Sequence, residues 1–157
     1  MKQQIESGEV TIVDFTANGE PKGELHVPKV VKSESEWRQQ LPPQSFEVAR
    51  HDGTERAFTG EYWNEHSKGI YRCICCDTPL FNSDTKFESG TGWPSFWQPI
   101  AEQNIATLED ASFGMRRVAV ICRRCDAHLG HVFEDGPRPS GLRYCMNSAA
   151  LKLDKAE

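Results

Sequence analysis

Six cysteines and a close pair of histidines carry most of the reactive chemistry in this 157-residue chain. Four of the cysteines form two Cys-x-x-Cys pairs, Cys73/Cys76 and Cys122/Cys125, each in a tight turn at the end of an apolar stretch. Tetrahedral zinc asks for this pattern, since each turn offers two thiolates and four thiolates close the coordination sphere. A closed sphere leaves no position for water, so such a zinc is structural. It clamps two segments far apart in sequence. Two disulfides and a thioredoxin-like redox motif are the competing chemistries. The second is expected as one pair beside a βαβ pattern, which is absent from this sequence.

Zinc leaves Cys75 and Cys145 free. Residues 142–148, Leu-Arg-Tyr-Cys-Met-Asn-Ser, read as a strand, and strand side chains alternate between two faces. Leu142, Tyr144 and Met146 fall on one face, for packing, and Arg143, Cys145 and Asn147 on the other. A thiol between a guanidinium and an amide suits a nucleophile, because the positive charge favours thiolate. A small buried strand cysteine is the plainer reading of the same residue. His128 and His131 flank Gly130 just beyond the second cysteine pair. They suit proton delivery to a reacting oxygen, metal ligation, or, for one of them, a hydrogen-bonded place in the core. The loop Phe87–Trp97 holds two glycines, a proline and three aromatics in five residues, Trp93, Phe96 and Trp97. It reads either as a loop tucked on the core or as the aromatic wall of a small-molecule pocket. Its Gly-x-Gly precedes no phosphate-binding helix.

The elements that position these residues are short. Val10–Phe15 and Glu24–Val27 flank an Asn18-Gly19 turn signal and suggest a hairpin, either packed on the domain edge or loose. Ser33-Glu-Ser-Glu36 has the capping-box spacing, with Trp37 and Leu41 one turn apart and Pro42-Pro43 as a stop. Phe46 and Val48 suggest a second helical turn, and both pieces are expected to cover a sheet. The length suits one domain with a proper core. A net charge of −5 and the lack of a long basic run argue against nucleic-acid binding. The first eight residues lack the apolar core of a signal peptide, and no apolar run reaches membrane-spanning length. A cytoplasmic protein is expected, where cysteines serve metals or catalysis more than disulfides.

Ser89-Gly-Thr-Gly-Trp-Pro-Ser-Phe96, His128-Leu-Gly-His-Val-Phe133, Asp135-Gly-Pro and Arg143-Tyr-Cys-Met-Asn-Ser148 together resemble the B-type methionine-R-sulfoxide reductases. The two cysteine pairs match the zinc-containing branch, and Glu36-Trp-Arg, Gly53-Thr-Glu-Arg and Gly69-Ile-Tyr also look familial. The likeness covers roughly residues 30–153. It divides the chain into an N-terminal extension (1–30), a reductase domain (31–153) and a short tail (154–157). It implies a mainly β fold of two antiparallel sheets curled around the active site, short N-terminal helices, and a structural zinc opposite that site. By the same likeness Cys145 attacks the sulfoxide sulfur and is left as a sulfenic acid. His128, His131 and Asn147 position the oxygen and manage its proton, and Arg143 favours the thiolate. Trp93 holds the substrate methyl group, and Phe133 joins it in substrate binding. Methionine-R-sulfoxide in proteins or peptides is the implied substrate, and thioredoxin or another thiol the reductant.

The sequence departs from the family at Thr91, where many members carry a resolving cysteine. Cys75, the other free thiol, sits inside a zinc knuckle, so reduction of the sulfenic acid by thioredoxin or a small thiol is the alternative. A non-catalytic zinc-ribbon module would explain the four zinc cysteines equally well, but neither the Cys145 face nor the histidine pair. A peroxide-reducing or thiol-transfer protein is the rival among enzymes.

Overall fold

A computed structural model describes residues 8–111 and 114–157. The first seven residues, part of the segment read above as lacking a signal core, lie outside the described residues. Strands β1 (Glu9–Phe15) and β2 (Pro21–Pro28) pair antiparallel across the Asn18-Gly19 turn. The hairpin is packed, not loose. Ile12 and Phe15 are buried, and the fully buried Asn104 clasps the edge of β1, accepting from Val13 N–H and donating to Val13 O, each at 2.8 Å. Its amide completes the strand edge as a neighbouring backbone would.

Helix α1 (Glu34–Gln40) begins with the expected capping box. Ser33 Oγ accepts from Glu36 N–H at 3.1 Å, and Glu36 carboxylate accepts from Ser33 N–H at 2.8 Å. Pro42 and Pro43 lack the N–H groups that would continue it, and Pro43 starts α2 (Pro43–Arg50) at a position where that lack costs nothing. Trp37, Phe46, Val48 and Ala49 turn inward, so the pair covers the sheets as its apolar spacing predicts. No helix among the described residues is long and apolar enough to cross a membrane.

The remaining strands form two antiparallel sheets. In one, β3 (Gly69–Cys73) lies between β4 (Pro79–Asn82) and β11 (Leu151–Lys155). In the other, β5 (Lys86–Phe87), β6 (Ser95–Phe96), β10 (Arg143–Met146), β9 (His128–Phe133), β8 (Arg117–Cys122) and β7 (Ile105–Asp110) are neighbours in that spatial order. Strand β11 pairs with β3 through Lys155↔Gly69, two residues past position 153. Rings join the sheets: Phe81 stacks on Phe96 at 4.5 Å, and Tyr71 meets Phe96 edge-on at 5.2 Å. Tyr144 and Met146 of β10 are buried in this core, which forces the intervening Cys145 to the opposite face.

Candidate active site and metal centre

The two cysteine pairs make matching knuckles. Asp77 N–H donates to Cys73 O and Asp126 N–H to Cys122 O, each at 2.9 Å. Cys73 N–H donates to Thr78 O and Cys122 N–H to Ala127 O, also at 2.9 Å. Asp77 and Asp126 hold positive φ of 72° and 63°, the left-handed turn that Asp tolerates. The four sulfurs lie within 4.8 Å of one another, with Cys73–Cys125 at 3.6 Å and Cys76–Cys122 at 3.5 Å. Tetrahedral thiolates ~2.3 Å from zinc stand about 3.8 Å apart, so the cluster fits that ion. Arg50, buried between α2 and the second knuckle, donates to Cys125 O at 2.9 Å and approaches Cys125 Sγ at 3.6 Å. Its guanidinium stacks on Trp37 at 4.3 Å, placing fixed positive charge against the thiolates. Cys75 is buried in the first knuckle and is not among the residues lining the Cys145 cavity.

Two histidines three apart on a regular strand face opposite ways. Here the β8–β9 register slips, pairing Val120 with Gly130 but Ile121 with His128. The resulting bulge at Leu129 returns both rings to one side, with centroids 5.4 Å apart. Gly130 is required beside it, because a Cβ there would lie 2.1 Å from Cys145 O. Pairing of Cys145 with His131 then brings thiol and imidazole to one cavity of about 240 Å³.

That cavity gathers Cys145, Arg143, Asn147, His131, Trp93 and Phe133. His128 lines an adjoining cavity of about 510 Å³ that shares His131 with the first. Arg143 holds Asp135 through Nε at 2.9 Å and Nη2 at 3.1 Å, and lies over the Phe133 ring at 4.5 Å. Trp93 Nε1–H donates to Glu55 O at 3.0 Å, which anchors the indole. Asn147 Oδ1 accepts from Glu55 N–H at 2.9 Å and Nδ2 donates to Leu129 O at 3.1 Å, so one amide N–H remains for a bound group. His131 Nε2 meets Asp110 Oδ2 at 2.8 Å, which orients the ring.

Alternation along β10 predicts a thiolate beside Arg143, and the balance of forces at Cys145 is different. Burial pushes the thiol above its ordinary value. Arg143 and the Thr91 hydroxyl pull it down, and Glu55 adds to the rise. Burial wins, so the resting group is a thiol, and Arg143 moderates its ionisation instead of completing it. His128 is pushed down to about 4, chiefly by burial. It is therefore neutral at pH 7, with its ring beside that of His131, the member of the pair that lines the Cys145 cavity.

The displacement of His128 has a pH consequence. Its folded value lies below the ordinary 6.5, so the unfolded chain binds the proton first as pH falls. This contribution to stability is fully present above about pH 6.5 and is lost on acidification towards 4. The drop attributable to His128 is about 2–3 kcal/mol. Denaturant midpoints of wild type and His128→Gln at pH 7 and pH 4.5 check it: the wild type is expected to lose more, and parallel losses would refute the assignment.

Asp110, Asp135 and Glu55 belong to the site but carried no role in the sequence reading. Asp135 opens the Asp-Gly-Pro turn, eight residues from Arg143 across a hairpin. Asp110 arrives from β7 with no local signal at all.

The SelR domain profile matches residues 41–155. Peptide methionine sulfoxide reductase B1, chloroplastic, of Arabidopsis thaliana is 58% identical over 125 residues, 80% of this chain and 62% of the relative. Peptide methionine sulfoxide reductase MsrB of Synechococcus sp. is 57% identical over 122 residues, 78% of this chain and 90% of the relative. The protein of the same name from Pseudomonas aeruginosa is 56% identical over 125 residues, 80% and 95% of the two chains. This chain thus spans less than two thirds of the plant relative's length and nearly all of the bacterial ones.

Proposed function

The chain belongs to the SelR-domain family, and from that membership we propose that it reduces the R epimer of methionine sulfoxide in proteins or peptides at the expense of external thiols. The observation that carries the reading is the meeting of Cys145, His131, Arg143, Asn147 and Trp93 in one cavity. In this scheme Trp93 and Phe133 receive the substrate's methyl end. The spare amide N–H of Asn147 donates to the sulfoxide oxygen. Cys145 gives its proton to His131 and attacks the sulfoxide sulfur as thiolate. The imidazolium, held by Asp110, returns that proton to the oxygen as the substrate S–O bond breaks. The hydroxyl so formed passes to the Cys145 sulfur as the new bond between Cys145 and the substrate sulfur breaks and leaves its electron pair on the substrate, giving a Cys145 sulfenic acid and methionine. His128, neutral and beside His131, helps to position the oxygen and manage its proton.

Two thiols restore the enzyme. The first displaces hydroxide from the sulfenic sulfur to form a mixed disulfide and water; the second releases Cys145 and a new disulfide. Thioredoxin or a small thiol fills both roles, since Thr91 replaces a resolving cysteine and Cys75 lies outside the cavity. Zinc held by Cys73, Cys76, Cys122 and Cys125, one ion per chain, supplies fold stability and no step of the reaction. Repair of oxidised proteins during oxidative stress, in the cytoplasm, is the setting this chemistry suits; the Arabidopsis relative is named for the chloroplast.

The test incubates the zinc-loaded protein with excess dithiothreitol and a racemic, amine-blocked methionine sulfoxide, counting each epimer by chiral chromatography. Only the R epimer is expected to fall. If neither falls with zinc bound at one per chain, the zinc-ribbon binding module becomes the better description.

A further inference from the structure

A row of three hydroxyls runs from Ser95 in β6 back through the preceding loop to Thr91, which lines the cavity that holds Cys145. Ser89 Oγ accepts from the Ser95 hydroxyl at 2.8 Å and from Thr91 N–H at 3.3 Å. Both of its lone pairs are then in use, so its proton goes to Thr91 Oγ1, 2.8 Å away. Thr91 Oγ1 also accepts from Trp93 N–H at 3.4 Å. With two donors already on that oxygen, the Thr91 proton has no acceptor within the row. Trp93 O, at 3.1 Å, is a second and longer contact of the Ser95 hydroxyl.

Ser95 is the direct strand partner of Cys145, which sets the row alongside the thiol. Thr91 and Cys145 line the same cavity. Arg143, the other group that favours the thiolate, spends two of its donors on Asp135. A neutral donor on a second side is therefore what the sulfur has at hand when it ionises. Hydroxyls that donate in series polarise one another, which strengthens the last of them.

We propose that Thr91 is a further catalytic residue, whose hydroxyl, polarised by Ser89 and Ser95, donates to the Cys145 sulfur and stabilises the attacking thiolate. This deepens the proposed reductase function and rests on Cys145 as its nucleophile. The position at which many family members carry a second cysteine is, in this chain, a hydrogen-bond donor to the first. The downward pull of Thr91 on the Cys145 thiol agrees with that role.

The test is the pH profile of Cys145 alkylation by iodoacetamide in the zinc-loaded full chain, read by mass spectrometry of the Cys145 peptide. Thr91→Val keeps the shape and removes the hydroxyl; its alkylation midpoint is expected to rise by about one pH unit. Sulfoxide turnover should fall about tenfold in kcat with KM little changed. Thr91→Ser should restore both. A wild-type midpoint in Thr91→Val, or a shift that Thr91→Ser does not restore, overturns the proposal. Should Thr91→Val not fold, Ser89→Ala carries the test: a smaller upward shift supports the polarised row and an unchanged midpoint overturns it. Alkylation needs no sulfoxide, so failure of the wild type to turn over sulfoxide is seen separately from failure of this proposal.

Discussion

Cys145→Ser is expected to lose sulfoxide reduction by at least about 10⁴-fold in kcat/KM, the scale on which removal of a covalent nucleophile is felt. A serine oxygen in the same place is a far weaker nucleophile at neutral pH. It also cannot take the sulfoxide oxygen and become the counterpart of a sulfenic acid. The fold should not notice. Cys145 is only half-buried, its neighbours Tyr144 and Met146 hold β10 in the core, and Arg143 keeps its two bonds to Asp135. Turnover of the R epimer, measured beside a thermal melt, separates the outcomes: lost activity with an unchanged melt places the chemistry on this sulfur. Retained activity would move it elsewhere.

Removing the metal is expected to unfold the protein. Structural zinc in small peptides is worth roughly 10–16 kcal/mol of apparent binding energy at neutral pH, against a net stability of roughly 5–15 kcal/mol for a whole domain. The knuckles lie where this matters, closing the ends of β3 and β8 in opposite sheets and meeting in the core. Cys122→Ser, or chelation under mild denaturant, should abolish cooperative unfolding or lower the melting temperature by at least ~20 °C, with metal content followed by elemental analysis. A metal-free form that melts like the loaded one would show that the clamp is dispensable.

What could be read from the sequence was what local rules govern. Alternation put Arg143, Cys145 and Asn147 on one face, the Ser33–Glu36 spacing gave the cap, and the cysteine spacing gave the knuckles. The two-sheet architecture and the roles of individual side chains came with the family likeness, because strand order is non-local and spacing does not encode it. The facing of His128 and His131 depends on a register slip that only pairing with β8 defines. The Asn104 clasp reaches across 91 residues to β1. The sign of the Cys145 shift depends on how deeply the thiol is buried, which no neighbour in sequence reports. Each of these is decided by a partner far along the chain.

The burial of the knuckles also sets an order of failure under attack by peroxide. Cys73, Cys122 and Cys125 have 0% exposure and Cys75 6%, whereas Cys145 opens onto a cavity. An oxidant entering from solvent can reach Cys145, the sulfur whose oxidised form is a regular turnover state in the proposed cycle. Such a hit is reversed by the same thiols that serve catalysis. Cys76 is the knuckle ligand with partial exposure, so irreversible damage is expected to begin there, with metal loss as its first visible sign. Of the two partly exposed thiols, one is repaired by turnover and the other is not, so working life under oxidative load is expected to be set by Cys76 and not by Cys145.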